Sequence, residues 1–344
     1  MIHTLRRTRK YWLPVLIIAA VILVFTVWID PAEIVVVLRQ ANWRYLAAAG
    51  LFLLAGLLML SLRWRFLLHN RAVYRDVLKS DGMSFFTTSL APIPAPPLRV
   101  ITISQISPVT LTASTSGMVV DRLLEQLMRL SCLLLALFLY AQLLISPVAL
   151  AGNLVGLLLG LLLLFWLMRY PDQATAVLSG WLGRIPRLGS ARAHSLVSNL
   201  VQGFVLAGTP ARFLLALLLS VGMWLCFFVF QALVLTALGQ GLDLRQTAAL
   251  ALATLAIAPP SAPAMPGVYH SVVVASLSLL GVLDATVLTA YAILAHLLQF
   301  GYWMTIGIWG LSTSNLRLGE LFRFGRVNAS SDTSSAPGGN APDN

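Results

Sequence analysis

Charge is scarce in this chain, and acid especially so. Only 10% of the 344 residues are charged, against about 25% in soluble domains. Twelve are Asp or Glu against 23 Lys or Arg, for a net charge of +11. With 58% hydrophobic residues and a mean hydropathy of +0.85, no water-soluble surface can be assembled, and a polytopic membrane protein is expected. Cysteine is nearly absent as well. Cys132 and Cys226 sit in separate apolar runs without C-x-x-C spacing, so neither a metal site nor a disulfide is called for. There is no phosphate-cradling Gly-rich loop, nucleophile elbow or His/Glu metal motif. The largest loop, about forty residues long, cannot house a catalytic domain. No enzyme and no cofactor are expected. The basic surplus does not point to nucleic acid, because the arginines flank apolar runs in the positive-inside pattern and suit anionic headgroups.

What the chain has in quantity is long apolar runs. Arg6, Arg7, Arg9 and Lys10 precede a run from Tyr11 to Ile29. It is too long for a signal-peptide core and lacks a small-residue cleavage site, so it is read as a first, uncleaved helix. A helix start at Pro31 and a short interfacial piece, Ile34 to Tyr45, follow. Spans are expected at Leu46 to Leu62, Met118 to Ile145, Val148 to Met168, Phe213 to Leu238 and Ala285 to Leu311. Amphipathic pieces such as Ala193 to Leu206 are expected in the interface. A basic loop after the second span holds Arg63, Arg65, Arg71, Arg75 and Lys79 against Asp76 and Asp81. That loop, the N-terminus and the arginines after the last span are all expected in the cytoplasm.

Two apolar segments are cut by proline. One carries Pro92, Pro94, Pro96, Pro97 and, further on, Pro108. The other carries Pro259, Pro260, Pro263 and Pro266, then Gly267, Tyr269 and His270. Proline ends helices because it lacks the N–H and clashes with the preceding turn. At bilayer depth, broken backbone survives only in protein or beside a wet cavity. The helical pieces around the second window, Ala248 to Ala258 and Val268 to Leu283, are each shorter than the roughly 20 residues needed to cross. Two such breaks in corresponding halves point to a transporter's binding site. The plainer alternative is two surface loops, but neither window has an acid and Arg99 is the one basic residue.

Two further constellations stand out. Asp121, Glu125 and Arg129 fall on one helical stripe, with Arg122 three residues before Glu125, which allows an ion-pair ladder. These charges either face an intramembrane cavity, where they tend to pair, or sit at the cytoplasmic interface. His296 and Gln299 lie one turn apart in the last span, and with His270 they give two intramembrane histidines. A polar lining fits them better than a metal site, for which the ligand count is too low.

These residues, taken together, resemble a family. The order is Arg63-Trp64-Arg65-Phe66-Leu67-Leu68, a proline-broken segment ending in an arginine, Asp121-Arg122-Leu123-Leu124-Glu125, then Pro260-Ser261-Ala262-Pro263 with Gly267-Val268-Tyr269. The chain is similar, over roughly residues 10 to 325, to the flippase-like membrane domain of lysylphosphatidylglycerol synthases, as a stand-alone member without the synthase domain. The family helix reads Glu-Arg-x-x-Asp, so the two acids are exchanged here. In the second motif Ala264 replaces a glycine and His270 an acid. In the first break only Arg99 matches. The resemblance implies movement of polar-headed lipids between leaflets of the bacterial cytoplasmic membrane. The headgroup stays open between a cationic aminoacyl lipid and an anionic or neutral glycolipid or polyprenyl carrier.

The expected architecture is an all-α polytopic membrane protein of one domain, residues 1–327, with a disordered cytoplasmic tail at 328–344. About six full spans are joined by two proline-broken segments, re-entrant or half-helical, related as a pseudo-repeat. The breaks are expected to meet near the midplane around a polar groove. Arg99, Arg122 and Arg129 would engage phosphate, and Asp121 and Glu125 would hold them or meet a cationic headgroup. Gly267, Tyr269, His270, His296 and Gln299 complete the expected substrate lining. Membrane lipids are the expected partners, with a separately encoded lipid-synthesising enzyme as a further candidate. An enzyme or accessory scaffold acting on a polyprenyl or aminoacylated lipid is the alternative.

Overall fold

In the computed structural model every regular element among the described residues is a helix. These residues are 31–90, 93–140, 169–182, 210–258, 268–314 and 318–321, with a few isolated positions between them. Among the described residues ten helices are defined: α1 (Pro31–Gln40), α2 (Trp43–Leu67), α3 (Tyr74–Leu90), α4 (Ala95–Ile106), α5 (Leu111–Tyr140), α6 (Pro171–Leu182), α7 (Pro210–Ala237), α8 (Leu244–Ile257), α9 (Val268–Ser278) and α10 (Ala285–Thr313). Four have the length and apolarity to cross a membrane: α2, the body of α5, α7 and α10. The expected spans at 11–29 and 148–168 and the amphipathic piece at 193–206 lie outside the described residues, as do Pro92 and the stretch from Pro259 to Gly267.

Local chemistry sets the helix ends. Asn42 caps α2 by accepting from Arg44 N at 3.0 Å, and its own N–H donates to the Ala237 carbonyl at the end of α7. Asp243 and Gln246 form a reciprocal capping box at the start of α8, and Asp284 caps α10. The first break is short: α3 stops at Leu90 and α4 starts at Ala95. Pro96 and Pro97 fall in the first turn of α4, where a missing N–H costs nothing.

The order of helices is repeated. α2 to α5 and α7 to α10 each run long helix, two shorter helices, long helix. Packing crosses between the halves in matching pairs: α2 on α7, α3 on α10, and α8 on α5. The directions can be followed from named contacts. Leu67 of α2 lies at Gly117 of α5 and Arg63 at Asp121, so these two helices are antiparallel. α4 runs back along α5, with Val100 at Ser114. Both free ends of the α3–α4 pair therefore lie where α2 stops and α5 starts. This is the basic end, which also carries Arg65, Arg71, Arg75, Lys79 and Arg212. At the far end, Arg245 of α8 donates to the Leu139 carbonyl, and Arg129 donates to Ile257 O, so α8 is antiparallel to α5. Tyr140 donates to the Leu280 carbonyl just after α9. The free ends of α8–α9 thus lie opposite those of α3–α4, so the halves are inverted.

Several sequence expectations are corrected here. Arg63 and Asp81 were expected in a cytoplasmic loop; they are inside α2 and α3 and fully buried, because each meets an opposite charge from a distant helix. α5 begins at Leu111, so Asp121 and Arg122 are three turns inside it instead of in its first turns. α9 ends at Ser278 and not Leu283, in a turn where Gly281 takes φ +63°.

Glycine sets the closest helix approach. A Cβ on Gly307 of α10 would lie 2.5 Å from Phe86 Cβ and 2.8 Å from the Gly82 carbonyl of α3. Small residues let backbones meet in this way when lipid provides no hydrophobic drive. Gly307→Leu is expected to lower the thermal midpoint of the detergent-solubilised protein by an overpacking cost of about 1–3 kcal/mol or more. Gly301→Leu, on the same helix with nothing within 4 Å, should leave it unchanged. Equal effects in a fluorescence-detected melt would contradict this packing.

Candidate functional site

The two inverted halves enclose two buried polar clusters, one from each set of four helices. The first is charged. The Asp121 carboxylate of α5 takes Arg63 of α2 at 2.6 Å, Arg99 of α4 at 3.1 Å and Arg122 at 3.1 Å. Arg99 also pairs with Asp81 of α3 at 2.6 Å, and Ser61 donates to the other Asp81 oxygen at 2.6 Å. Arg122 reaches Glu125 at 2.7 Å. Three guanidiniums face three carboxylates, so the network carries no net charge. Arg63, Arg99, Asp81 and Asp121 are sealed from solvent. Arg99 lies 4.2 Å over the Trp64 ring, which adds a cation–π contact.

The network forms a layer between two apolar clusters. Arg63 is between Leu60 of one and Trp64 of the other, Asp81 between Phe85 and Val77, Arg99 between Ala95 and Ile103. Ser220 of α7, which accepts from Arg63 at 3.3 Å, lies between Met223 and Ala216. The layer is not central. Arg63 is about 6 Å from the basic end of α2 and about 30 Å from the other, at 1.5 Å per residue.

Arg122 is the member that reaches out, with a quarter of its side chain exposed. It is the one charged residue lining a cavity of about 560 Å³ between α4 and α5, whose walls include Pro96, Pro97, Val100, Ile101, Met118 and Val119. This α4–α5 cleft is apolar with one guanidinium. A permanently charged, planar donor fork in an oily cleft suits a phosphate or carboxylate attached to an apolar body. Arg99, expected to meet substrate directly, is instead sealed from solvent and paired through Nε with Asp81 and through Nη1 with Asp121. Arg129 lies about 10 Å further along α5 and donates to the Ile257 carbonyl at 3.3 Å, where α8 ends at the second break. A cation there complements the half-helix dipole. Glu125 is buried beside Arg122. At the basic end, burial and then Arg212 and Arg71 push the His69 imidazole below its ordinary value, so it adds no charge at neutral pH.

The second cluster carries no fixed charge. His270 of α9 and His296 of α10 meet with Nε2 and Nδ1 3.3 Å apart. The Tyr269 ring stacks on His296 with centroids 4.8 Å apart. Tyr291 Oη lies 2.7 Å from Gln231 Oε1 of α7 and 2.9 Å from Thr254 Oγ1 of α8. Gln299 is buried on α10 one turn after His296. The two histidines named from the sequence are thus in contact with each other. Pro259, Pro260, Pro263, Pro266 and Gly267 are outside the described residues, while Pro94 is the N-cap residue of α4.

Arg63, Asp81, Trp64 and Ser220 were missed. Arg63 and Asp81 read as loop charges because their partners are 58 and 18 residues away, beyond any helical periodicity. Among the described residues no group of three His, Cys, Asp or Glu side chains could hold a metal.

Removing the charge of Asp121 strips the shared acceptor from two sealed guanidiniums. Asp121→Asn is expected to cost about 3–5 kcal/mol, the usual penalty for breaking a buried pair, and Arg122→Gln much less. Thermal melts in detergent check this; comparable losses for both would contradict a hub at Asp121.

A family model described as the lysylphosphatidylglycerol synthase TM region matches residues 11–307. No curated protein and no solved structure matches the chain.

Proposed function

The chain belongs to the lysylphosphatidylglycerol synthase transmembrane-region family, membrane proteins tied to lipid metabolism or transport, and on that premise we propose that it is a flippase for polar-headed lipids. The observation that carries the reading is Arg122, a partly exposed guanidinium in an apolar cleft, backed by a buried neutral network. A lipid phosphate would bind Arg122 bidentately while its acyl chains lie against Val100, Ile101, Met118 and Val119. The exchange of Arg122 between phosphate and the Asp121 and Glu125 carboxylates would let the headgroup be taken and released without exposing a lone charge. Intramembrane ionisable groups are costly and mark such pathways.

On this reading the α3–α4 and α8–α9 pairs are re-entrant hairpins that enter from opposite leaflets and end beside α5. Their arrangement matches the inverted repeats of transporters, whose sites lie where broken helices face each other. The basic end carries Arg65, Arg71, Arg75, Lys79 and Arg212. The far end has Arg39, Arg44 and Arg245 roughly balanced by Glu33, Asp243 and Asp284. The basic end is therefore assigned to the cytoplasm of a bacterial inner membrane, with both termini on that side. No chemical conversion is assigned to the chain, and a lipid made by a separately encoded enzyme is its cargo.

The test is leaflet exchange of fluorescent phospholipids in liposomes containing the pure protein. Exchange above protein-free liposomes is expected. Arg122→Ala should reduce it by about tenfold or more, the worth of one charge-assisted bidentate contact, with the melt lowered far less than by Asp121→Asn. No exchange for any headgroup contradicts the flippase, and conversion of the added lipid would favour the enzyme reading.

A further inference from the structure

We propose that Met118 is a shutter between the α4–α5 cleft and Arg99, and that a headgroup phosphate which pushes it aside is held by Arg99 and Arg122 together. The inference rests on the flippase reading and adds a second, concealed contact to its site.

Arg99 is short of acceptors. Its Nε donates to Asp81 and its Nη1 to Asp121. The further contact of Nη1 is the Met118 sulfur at 4.0 Å, a weak acceptor at the limit of reach. Its Nη2 is buried and has no hydrogen-bond partner among the described residues. A buried donor left unpaired is unfavourable, and in a folded protein it calls for an explanation. Met118 gives a direction in which to look for one. It touches Arg99 and is also a wall of the cleft, so it separates the two.

Met118 is suited to move. Its side chain is unbranched, with three rotatable bonds and a soft thioether, and repacks at low cost. Val100, Ile101 and Val119, which also line the cleft, are β-branched and stiff at χ1. Met118 is therefore the adaptable part of the wall.

The ion pairs show what a phosphate would displace. Asp121 Oδ2 accepts from Arg99 Nη1 and from Arg122 Nη2, both at 3.1 Å, so the two forks converge on one oxygen. The other bridges are shorter: Arg63 to Asp121 Oδ1 at 2.6 Å, Arg99 to Asp81 at 2.6 Å and Arg122 to Glu125 at 2.7 Å. A phosphate oxygen in the place of Oδ2 gives up the two longest bridges and leaves every acid with a cation. A second phosphate oxygen then meets the donors of Arg99 that have no strong acceptor, as a charge-assisted contact. A headgroup without an anion has nothing to offer Arg99 and stays in front of the shutter. Met118 thus sorts lipids by headgroup charge.

Binding tests the shutter apart from transport. Dioctanoyl phosphatidylglycerol is titrated into the detergent-solubilised full chain and followed by thermal shift, with dioctanoylglycerol as the phosphate-free control. Met118→Ala is expected to tighten phosphatidylglycerol by about tenfold, the worth of a charge-assisted contact made without moving a side chain, and to leave the control unchanged. Arg99→Lys in the Met118→Ala background keeps a charge for Asp81 but removes the planar fork, and should cancel the gain. If that double variant does not fold, Met118→Ala with Arg122→Ala decides: it should bind phosphatidylglycerol more tightly than Arg122→Ala alone, because Arg99 is then within reach. No gain with Met118→Ala, an equal gain for the control, or a gain that survives Arg99→Lys overturns the shutter. Binding with the expected differences but no leaflet exchange in liposomes overturns the flippase reading instead and leaves the shutter in place.

Discussion

The Asp121 carboxylate is the interaction on which the described structure depends. It is sealed from solvent, and it accepts from guanidiniums on α2, α4 and α5 at once. Each of those guanidiniums would be prohibitively costly in an apolar interior on its own. Around one acid they become a layer that ties four helices at a single depth, with Asp81 completing it from α3. The apolar clusters on either side then pack as separate blocks with the charged layer between them. The same carboxylate restrains Arg122, the one member that opens to the cleft. On the proposed reading, structural and binding roles therefore meet in one group.

The inverted pairing of halves follows from chain chemistry as much as from packing. Proline at 94, 96 and 97 stops α3 from continuing into α4, and a short connection turns the chain back to the end it came from. α8 enters from the opposite end and stops at Ile257, where Arg129 satisfies its last turn. α5 therefore borders both breaks, with Arg122 and Glu125 facing the first and Arg129 the second. The halves differ in chemistry: permanent ion pairs in one, hydroxyl, amide and imidazole groups without fixed charge in the other.

Much of this was legible in the sequence. α7 and α10 were readable from apolar length alone, and the first break from its prolines. The Arg122–Glu125 pair follows from helical spacing. The pairing of His270 with His296 was foreshadowed by two histidines in apolar surroundings. What could not be read was the long-range half of the network. Arg63 and Asp81 have local surroundings typical of a basic loop, and their burial depends on a fold that brings Asp121 and Arg99 to them. Arg99 looked like a ligand-binding arginine because nothing local reveals that it pairs with Asp81 and Asp121 inside a sealed layer. The cleft's apolar lining was hidden too, since it combines alternate faces of α4 and α5.

The central claim is that a lipid occupies the α4–α5 cleft with its headgroup at Arg122. The most direct measurement is photo-crosslinking in liposomes with an anionic phospholipid carrying a diazirine near the glycerol, mapped by mass spectrometry. The account predicts adducts concentrated on Pro96 to Ile101 and Leu111 to Leu123, lost in Arg122→Ala. Adducts spread over the lipid-facing surfaces of α2 and α7, unchanged by that substitution, would contradict it.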